Sequence, residues 1–308
     1  MRIVLIGQAA FGAKVLEALA KRNHEMVAAY TIPDQPGQRP DPLKEASVSG
    51  GVKVVQPGTY RDEQVFSEYR SLRPDLTVMA FVTDIIPARY FGVPLQGTIN
   101  FHPSLLPRHR GGSAVNWAVI MGDEKTGISI FWPDEGIDTG PILLQKEAAI
   151  AADDTTGSLY FNRLFPIGVE AILEAVGLIE AGRAPRIPQD EALATYEPLC
   201  NDRVAAIDWG KPAGEVYNLV RGCDPQPGAF SFIGGQKVRF YAPGLVPVAV
   251  DDAPGTVLGI DEQGLRVALA GGQLAVGKAK VEIGGKEKAA ELAARMGIRA
   301  GDRFSSQG

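Results

Sequence analysis

Residues 1–22, MRIVLIGQAAFGAKVLEALAKR, pass from an apolar run, RIVLIG, through a turn marked by Gly7 and Gly12 into AKVLEALAKR, where apolar residues recur every three or four positions. A short apolar run before a turn reads as a buried strand, and the three- and four-residue spacing reads as an amphipathic helix. A strand feeding directly into a helix is the first half of a crossover unit in a parallel sheet. The alternation continues through strand candidates MVAAYTI, VKVVQ, LTVMAFV, GTINFH, ISIFW and ILLQKEAAI, with helical candidates DEQVFSEYRSL, IIPARYFG and SAVNWAVIMG among them. The fold class is therefore α/β, doubly wound around a mostly parallel sheet.

A long helix is expected from Thr155 to about Ala181, with Gly182 behind it and Pro166 kinking or dividing it. These elements make a first domain of residues 1–182. Residues 183–203, rich in proline and charge and short of apolar periodicity, read as a linker. From 204 to 308 the pattern becomes one short helix, AGEVYNLVRG, then glycine-punctuated strands GAFSFIGG, QKVRFYAP, GTVLGID, GLRVALAGG and QLAVGKAKVEI, and a terminal helix near GKEKAAELAARMGI. Short strands at that spacing suggest a smaller domain built as a barrel or a sandwich.

With 308 residues and 45% hydrophobic content, the chain can build two cores. Its formal net charge of -5 argues against a general electrostatic grip on nucleic acid or an anionic membrane. No apolar stretch is long enough for a membrane span, and the start lacks the pattern of a signal peptide, so a cytoplasmic location is expected. Cys200 and Cys223 have neither metal-ligand spacing nor a reactive motif around them, and no function is assigned to them.

The first glycine turn invites a nucleotide reading that its spacing does not support. G-x-x-x-x-G lacks the middle glycine that lets a pyrophosphate approach, and no Lys-Ser or Lys-Thr follows for a phosphate loop. A structural turn is expected there, without NAD(P).

The chemistry gathers instead at TINFHPSLLPRHRGGS, residues 98–113. Residues i and i+2 of a strand share a face, so Asn100 and His102 are neighbours and Phe101 turns the other way. Pro103 cannot donate a ladder hydrogen bond, so the strand should stop at His102, at the carboxyl edge where open α/β sheets hold ligands. A second segment, ISIFWPDEGIDTGPILLQ, carries Asp134, Glu135 and Asp138 in a turn between strands, and Asp138 reaches His102 if the two loops share that edge. Such a trio suits attack on a carbonyl: an asparagine amide donates to an oxyanion, the histidine gives a hydrogen bond or proton, and the carboxylate holds it charged and orders a water. His102 has no second His or Cys at ligand spacing, so no metal site is expected. No G-x-S-x-G elbow offers a serine nucleophile.

The motif NFHPSLLPRHRGG, followed by GIDTG, resembles the signature of the folate-dependent formyltransferase family. Across nearly the whole chain, segments such as TIPDQPG, FVTDIIP, SLLPRHRGGSAVNW, LFPIGVEAI and IDWGKPAGEVYNLVRGCDPQPGAF are similar, in order, to the formyltetrahydrofolate hydrolase domain of that family, and more weakly to methionyl-tRNA formyltransferases. The resemblance implies a Rossmann-like domain that binds 10-formyltetrahydrofolate as formyl donor, followed by an OB-like barrel. It implies that Asn100 polarises the formyl oxygen, His102 acts as acid or hydrogen-bond donor, and Asp138 holds His102 and the reacting water or amine. The pterin would lie against Phe81 and the backbone of Asp84, Ile85 and Ile86, with the turn from Asp134 to Asp138 closing the pocket. Neither a metal nor a nicotinamide is implied.

Animal hydrolase domains carry an apolar residue where this chain has Asn100, so the acceptor is open between water and an amine. From Val204 onward there are 12 Lys and Arg against 11 Asp and Glu, and residues 32–46 set Arg39 and Lys44 against Asp34, Asp41 and Glu45. Both regions are nearly neutral where a tRNA-binding member would be basic. Water or a small amine is therefore preferred to tRNA as partner. The dehydrogenase relatives continue into a carrier region and an aldehyde dehydrogenase domain. These 308 residues include neither, which leaves open whether the chain stands alone or is a piece of a longer protein.

Overall fold

The computed structural model describes residues 1–248 and 250–306, which form two compact units. The first comprises Met1–Gly112, Gly127–Ala148 and Asn162–Tyr196. Its seven strands are β1 (Arg2–Gly7), β2 (Glu25–Tyr30), β3 (Val54–Val55), β4 (Leu76–Ala80), β5 (Thr98–His102), β6 (Lys125–Phe131) and β7 (Ile142–Ala149). They lie in the order β3-β2-β1-β4-β5-β6-β7, parallel from β3 through β5 and antiparallel between β5 and β6. The order reverses between β1 and β4, so the carboxyl ends of those strands and of β5 border the crevice where such sheets bind ligands.

Helix α1 (Ala9–Ala20) leaves β1, and α2 (Pro42–Ser49) and α3 (Glu63–Ser71) follow in the same unit. Gly7 has a packing reason: a Cβ there would lie 2.3 Å from the Ala80 carbonyl oxygen of β4. The Ala9 amide at the start of α1 donates to both Asp41 carboxylate oxygens, at 3.0 and 2.8 Å, and Asp41 also caps α2 through Leu43 N at 2.8 Å. One carboxylate thus closes the first glycine turn and starts a helix that the proline-rich sequence there had concealed.

Two helical expectations change. IIPARYFG gives only a three-residue 3-10 turn at Ala88–Tyr90, because Pro87 sits before it and the chain turns at Gly92 and Pro94 before a full helix can form. The segment after Thr155 does divide, into α5 (Thr156–Leu159), a π turn over Tyr160–Leu164 and α6 (Phe165–Glu180). Pro166 takes the first turn of α6, where its missing N–H is not needed.

Phe101 locks β5 to the helical layer. Its ring centroid lies 4.3 Å from that of Phe11, which meets Phe165 edge-on at 5.2 Å, and a Cβ on Gly168 would come within 2.6 Å of the Phe101 ring. The side chain facing away from Asn100 and His102 is therefore their anchor in the core.

The second unit comprises Ser113–Thr126, Ala149–Phe161 and Glu197–Gly308, of which the described residues contain α4 (Ala114–Ile120), α5, α7 (Asp202–Ala205), α8 (Ala213–Gly222) and α9 (Ala289–Met296). Strands β8 (Ala229–Ile233), β9 (Gln236–Val246), β10 (Val257–Asp261), β11 (Gly264–Leu269) and β12 (Gly272–Val281) form an antiparallel sheet in the order β10-β11-β12-β9-β8, with β13 (Glu287–Lys288) against β12. Its core includes Trp209, Phe240 and Phe304, with the Phe240 and Phe304 rings at 90° and 5.1 Å. Helices α4 and α8 pack closely: Asn116 Nδ2 donates to the Gly222 carbonyl at 2.8 Å, and a Cβ on Gly222 would meet Ile120 at 2.4 Å. Among the described residues no helix is long and apolar enough to cross a membrane.

Candidate functional site

β5 ends at His102 against the Ser129 position of β6, and Asn100 pairs with Met79 on one side and Phe131 on the other. Asn100 and His102 thus point to the same face two residues apart, as the strand period requires. Among the described residues, the half-buried Asn100 side-chain amide has no protein hydrogen-bond partner. Beyond Pro103 the loop is held by Ser129, whose hydroxyl donates to the Ser104 carbonyl at 2.7 Å and accepts from Leu106 N at 3.0 Å.

His102 is 5% exposed. Its Nε2 lies 2.7 Å from the carbonyl oxygen of His109, and because a carbonyl only accepts, this nitrogen carries a proton and donates. Nδ1 then faces the Asp138 carboxylate, with Oδ2 at 3.4 Å. As an imidazolium the ring directs a second N–H at Asp138; as a neutral ring it directs a lone pair. Nδ1 is therefore the ring nitrogen that the His109 carbonyl does not engage.

Asp138 reaches this position from a turn between β6 and β7, with φ of 57°. Its Oδ2 accepts from Gly111 N at 2.8 Å, and its side chain keeps 15% exposure. The turn is closed by Asp134, whose Oδ1 accepts from Gly136 N at 3.1 Å and from the Thr139 hydroxyl at 2.5 Å. Asp134 therefore shapes the loop that carries Asp138. Gly140 has no room for a side chain, since a Cβ would lie 1.8 Å from the Trp132 carbonyl oxygen.

On the other side of the crevice, Phe81 follows β4 with φ of 61° and 36% exposure. Asp84 and Ile85 are exposed, Ile85 at 79%, whereas Ile86 is buried in the Tyr30, Tyr69 and Tyr90 cluster. Gly7, Gln8, Thr31, Tyr60 and Asp84 line a small crevice at the ends of β1 and β4. Burial, followed by the Asp84 charge, pushes the Tyr60 phenol well above its ordinary range, so it is a neutral donor there.

Sequence reasoning missed the residues that hold this arrangement. Arg110, with a fully buried side chain, donates to Gln189, Glu191 and Tyr196, and all three lie in residues 183–203, whose sequence reads as a linker. Glu191 raises the Arg110 guanidinium further, and Arg110 in turn holds the exposed Glu191 carboxyl below its ordinary value. The signal in the sequence was the RHRGG run itself. Among the described residues no group of three or more His, Cys, Asp or Glu is placed to hold a metal ion.

The Formyl transferase family matches residues 1–176, and its C-terminal domain family matches residues 201–297. Mitochondrial 10-formyltetrahydrofolate dehydrogenase of Mus musculus is 43% identical over 271 residues, covering 86% of this chain and 29% of that protein. Methionyl-tRNA formyltransferase of Alkaliphilus oremlandii is 34% identical over 304 residues, covering 97% of this chain and 95% of that protein. The chain therefore spans under a third of the dehydrogenase and nearly all of the transferase. Among solved structures, HypX from Aquifex aeolicus in complex with tetrahydrofolic acid superposes with a TM-score of 0.72 at 20% identity, covering 96% of this chain and 47% of that one. A sugar 3N-formyl transferase with dTDP and 5-N-formyl-THF gives 0.69 at 17%, covering 92% and 98%. At those identities the two structures bear on fold alone.

Proposed function

The chain belongs to the formyl transferase family, and we propose that it removes the formyl group of 10-formyltetrahydrofolate, delivering it to water or a small amine. The observation that carries this reading is the Asn100 amide, without a protein partner among the described residues, on the strand face it shares with His102, whose Nδ1 faces Asp138 at 3.4 Å. The nucleophile adds to the formyl carbon, and the Asn100 amide donates to the oxyanion of the tetrahedral intermediate. Collapse breaks the bond from carbon to N10, and N10 takes a proton from His102 Nδ1. Asp138 takes the proton lost by the attacking water or amine and passes it on to His102 Nδ1, so both groups return to their starting states; with water the products are tetrahydrofolate and formic acid, which ionises to formate. The pterin is assigned to Phe81 and the backbone of Asp84, Ile85 and Ile86, with the Asp134 to Asp138 turn closing over it.

A second reading, formyl transfer to initiator methionyl-tRNA, is favoured by the near full-length likeness to the Alkaliphilus enzyme. It ranks lower because residues 32–46 and the region from Val204 onward are almost neutral. Incubation with 10-formyltetrahydrofolate alone, with small amines, and with charged initiator tRNA separates the readings. Release of tetrahydrofolate with formate or a formylated amine supports the first. Strict dependence on the tRNA replaces it with the second.

A further inference from the structure

His109, Arg110 and Gly111 are consecutive, and each touches the site differently. The His109 carbonyl accepts from His102 Nε2 at 2.7 Å, and Gly111 N donates to Asp138 Oδ2 at 2.8 Å. Both residues have positive φ, 55° at His109 and 99° at Gly111, and Asp138 has 57°. Outside glycine such conformations persist where surrounding contacts over-determine them.

The contacts come from residues 187–196. Thr195 accepts from Arg110 N through its carbonyl at 3.1 Å and from His109 N through its hydroxyl at 2.8 Å. Between the two chain segments the Arg110 guanidinium donates to Gln189 Oε1 at 2.8 Å and to the Glu191 carboxylate at 2.6 and 2.9 Å. Gln189 then turns its amide outward: Nε2 donates to the carbonyls of Asp138 at 2.8 Å and Gly140 at 2.7 Å. A single buried guanidinium is tied, through one glutamine, to the main chain on both sides of Thr139.

We propose that Arg110 and Gln189 are positioning residues for the His102–Asp138 pair, the Gln189 amide fixing the Asp138 turn while Arg110 fixes the His109 and Gly111 backbone. This rests on the deformylation reading above. The oxygen of Gln189 serves Arg110 and the nitrogen serves the Asp138 turn, so the two halves of the brace can be separated. Gln189→Glu keeps an acceptor for Arg110 but removes the N–H donors and sets an anion against two carbonyls. Gln189→Leu removes both.

The test measures kcat and KM for tetrahydrofolate release from 10-formyltetrahydrofolate in the wild type, Gln189→Glu, Gln189→Leu and His102→Ala, with circular dichroism of each and the His102 ring N–H signal by NMR. Positioning predicts that both Gln189 variants lose about tenfold to a hundredfold in kcat, the scale of a displacement of about 1 Å, with KM nearly unchanged. It also predicts that the His102 ring signal broadens in a folded Gln189→Glu protein. Wild-type kcat in Gln189→Glu, with loss confined to Gln189→Leu, makes the glutamine a structural tie to Arg110 alone and overturns the inference. Wild-type kcat in both variants, with His102→Ala inactive, overturns it while the deformylation reading stands. An active His102→Ala removes both. If Gln189→Leu does not fold, Gln189→Glu decides.

Discussion

His102 Nδ1 lies 3.4 Å from Asp138 Oδ2, while the opposite ring nitrogen donates to the His109 carbonyl at 2.7 Å. The imidazole is thus oriented by a main-chain acceptor behind it and presents one nitrogen to the carboxylate.

Removing either member of the pair should slow deformylation with little loss of fold, since His102 and Asp138 sit at the edge of the sheet. His102→Ala and Asp138→Ala are each expected to release tetrahydrofolate at least about a hundredfold more slowly, the usual scale for an acid-base group. Single-turnover assays check this, and near wild-type turnover in either variant contradicts the mechanism.

Asn100→Ala leaves β5 and its Phe101 anchor in place but removes the only strand-borne donor assigned to the oxyanion. A fall in kcat of about 10² to 10³ is expected, as for the loss of one such donor elsewhere. Unchanged formate or formyl-amine production would make Asn100 structural.

Gly140→Ala tests the steric limit of the turn. Its Cβ would lie 1.8 Å from the Trp132 carbonyl oxygen, so the backbone carrying Asp138 must move. A stability loss of about 1–3 kcal/mol, typical of overpacking, is expected in urea unfolding, together with lower turnover. Equal midpoints for variant and wild type would refute the clash.

Acid sensitivity should centre on Asp202. Hydrogen bonds from Arg239, aided by Lys237, hold its carboxyl at about 2, below the ordinary 3.8. The folded state is then the weaker proton binder, so this contribution is complete above about pH 4 and is lost as pH falls toward about 2. In Asp202→Asn the urea midpoint should vary less between those values than in wild type, and parallel profiles would count against the ion pair.

The alternation of strands and helices, the end of β5 at Pro103 and the shared face of Asn100 and His102 were legible in the sequence, because strand and helix periods are local properties of the chain. Asp138 was legible as a carboxylate at the mouth of a strand. The antiparallel entry of β6 was not, since side-chain period is the same in either direction. Helix α2 was hidden by its proline-rich surroundings and is fixed by Asp41, which joins it to the Ala9 amide 32 residues earlier.

Residues 187–196 mark the boundary most clearly. Their sequence carries no apolar period because they bury little and instead exchange polar contacts with Arg110, His109 and the Asp138 turn. The sequence by itself placed Asn100 and His102 on one face of a strand that ends at Pro103 and put Asp138 in the turn before the next strand. Only the tertiary structure decided which nitrogen of His102 faces Asp138, because that choice rests on the His109 carbonyl seven residues away and on a buried arginine whose partners lie about eighty residues further along.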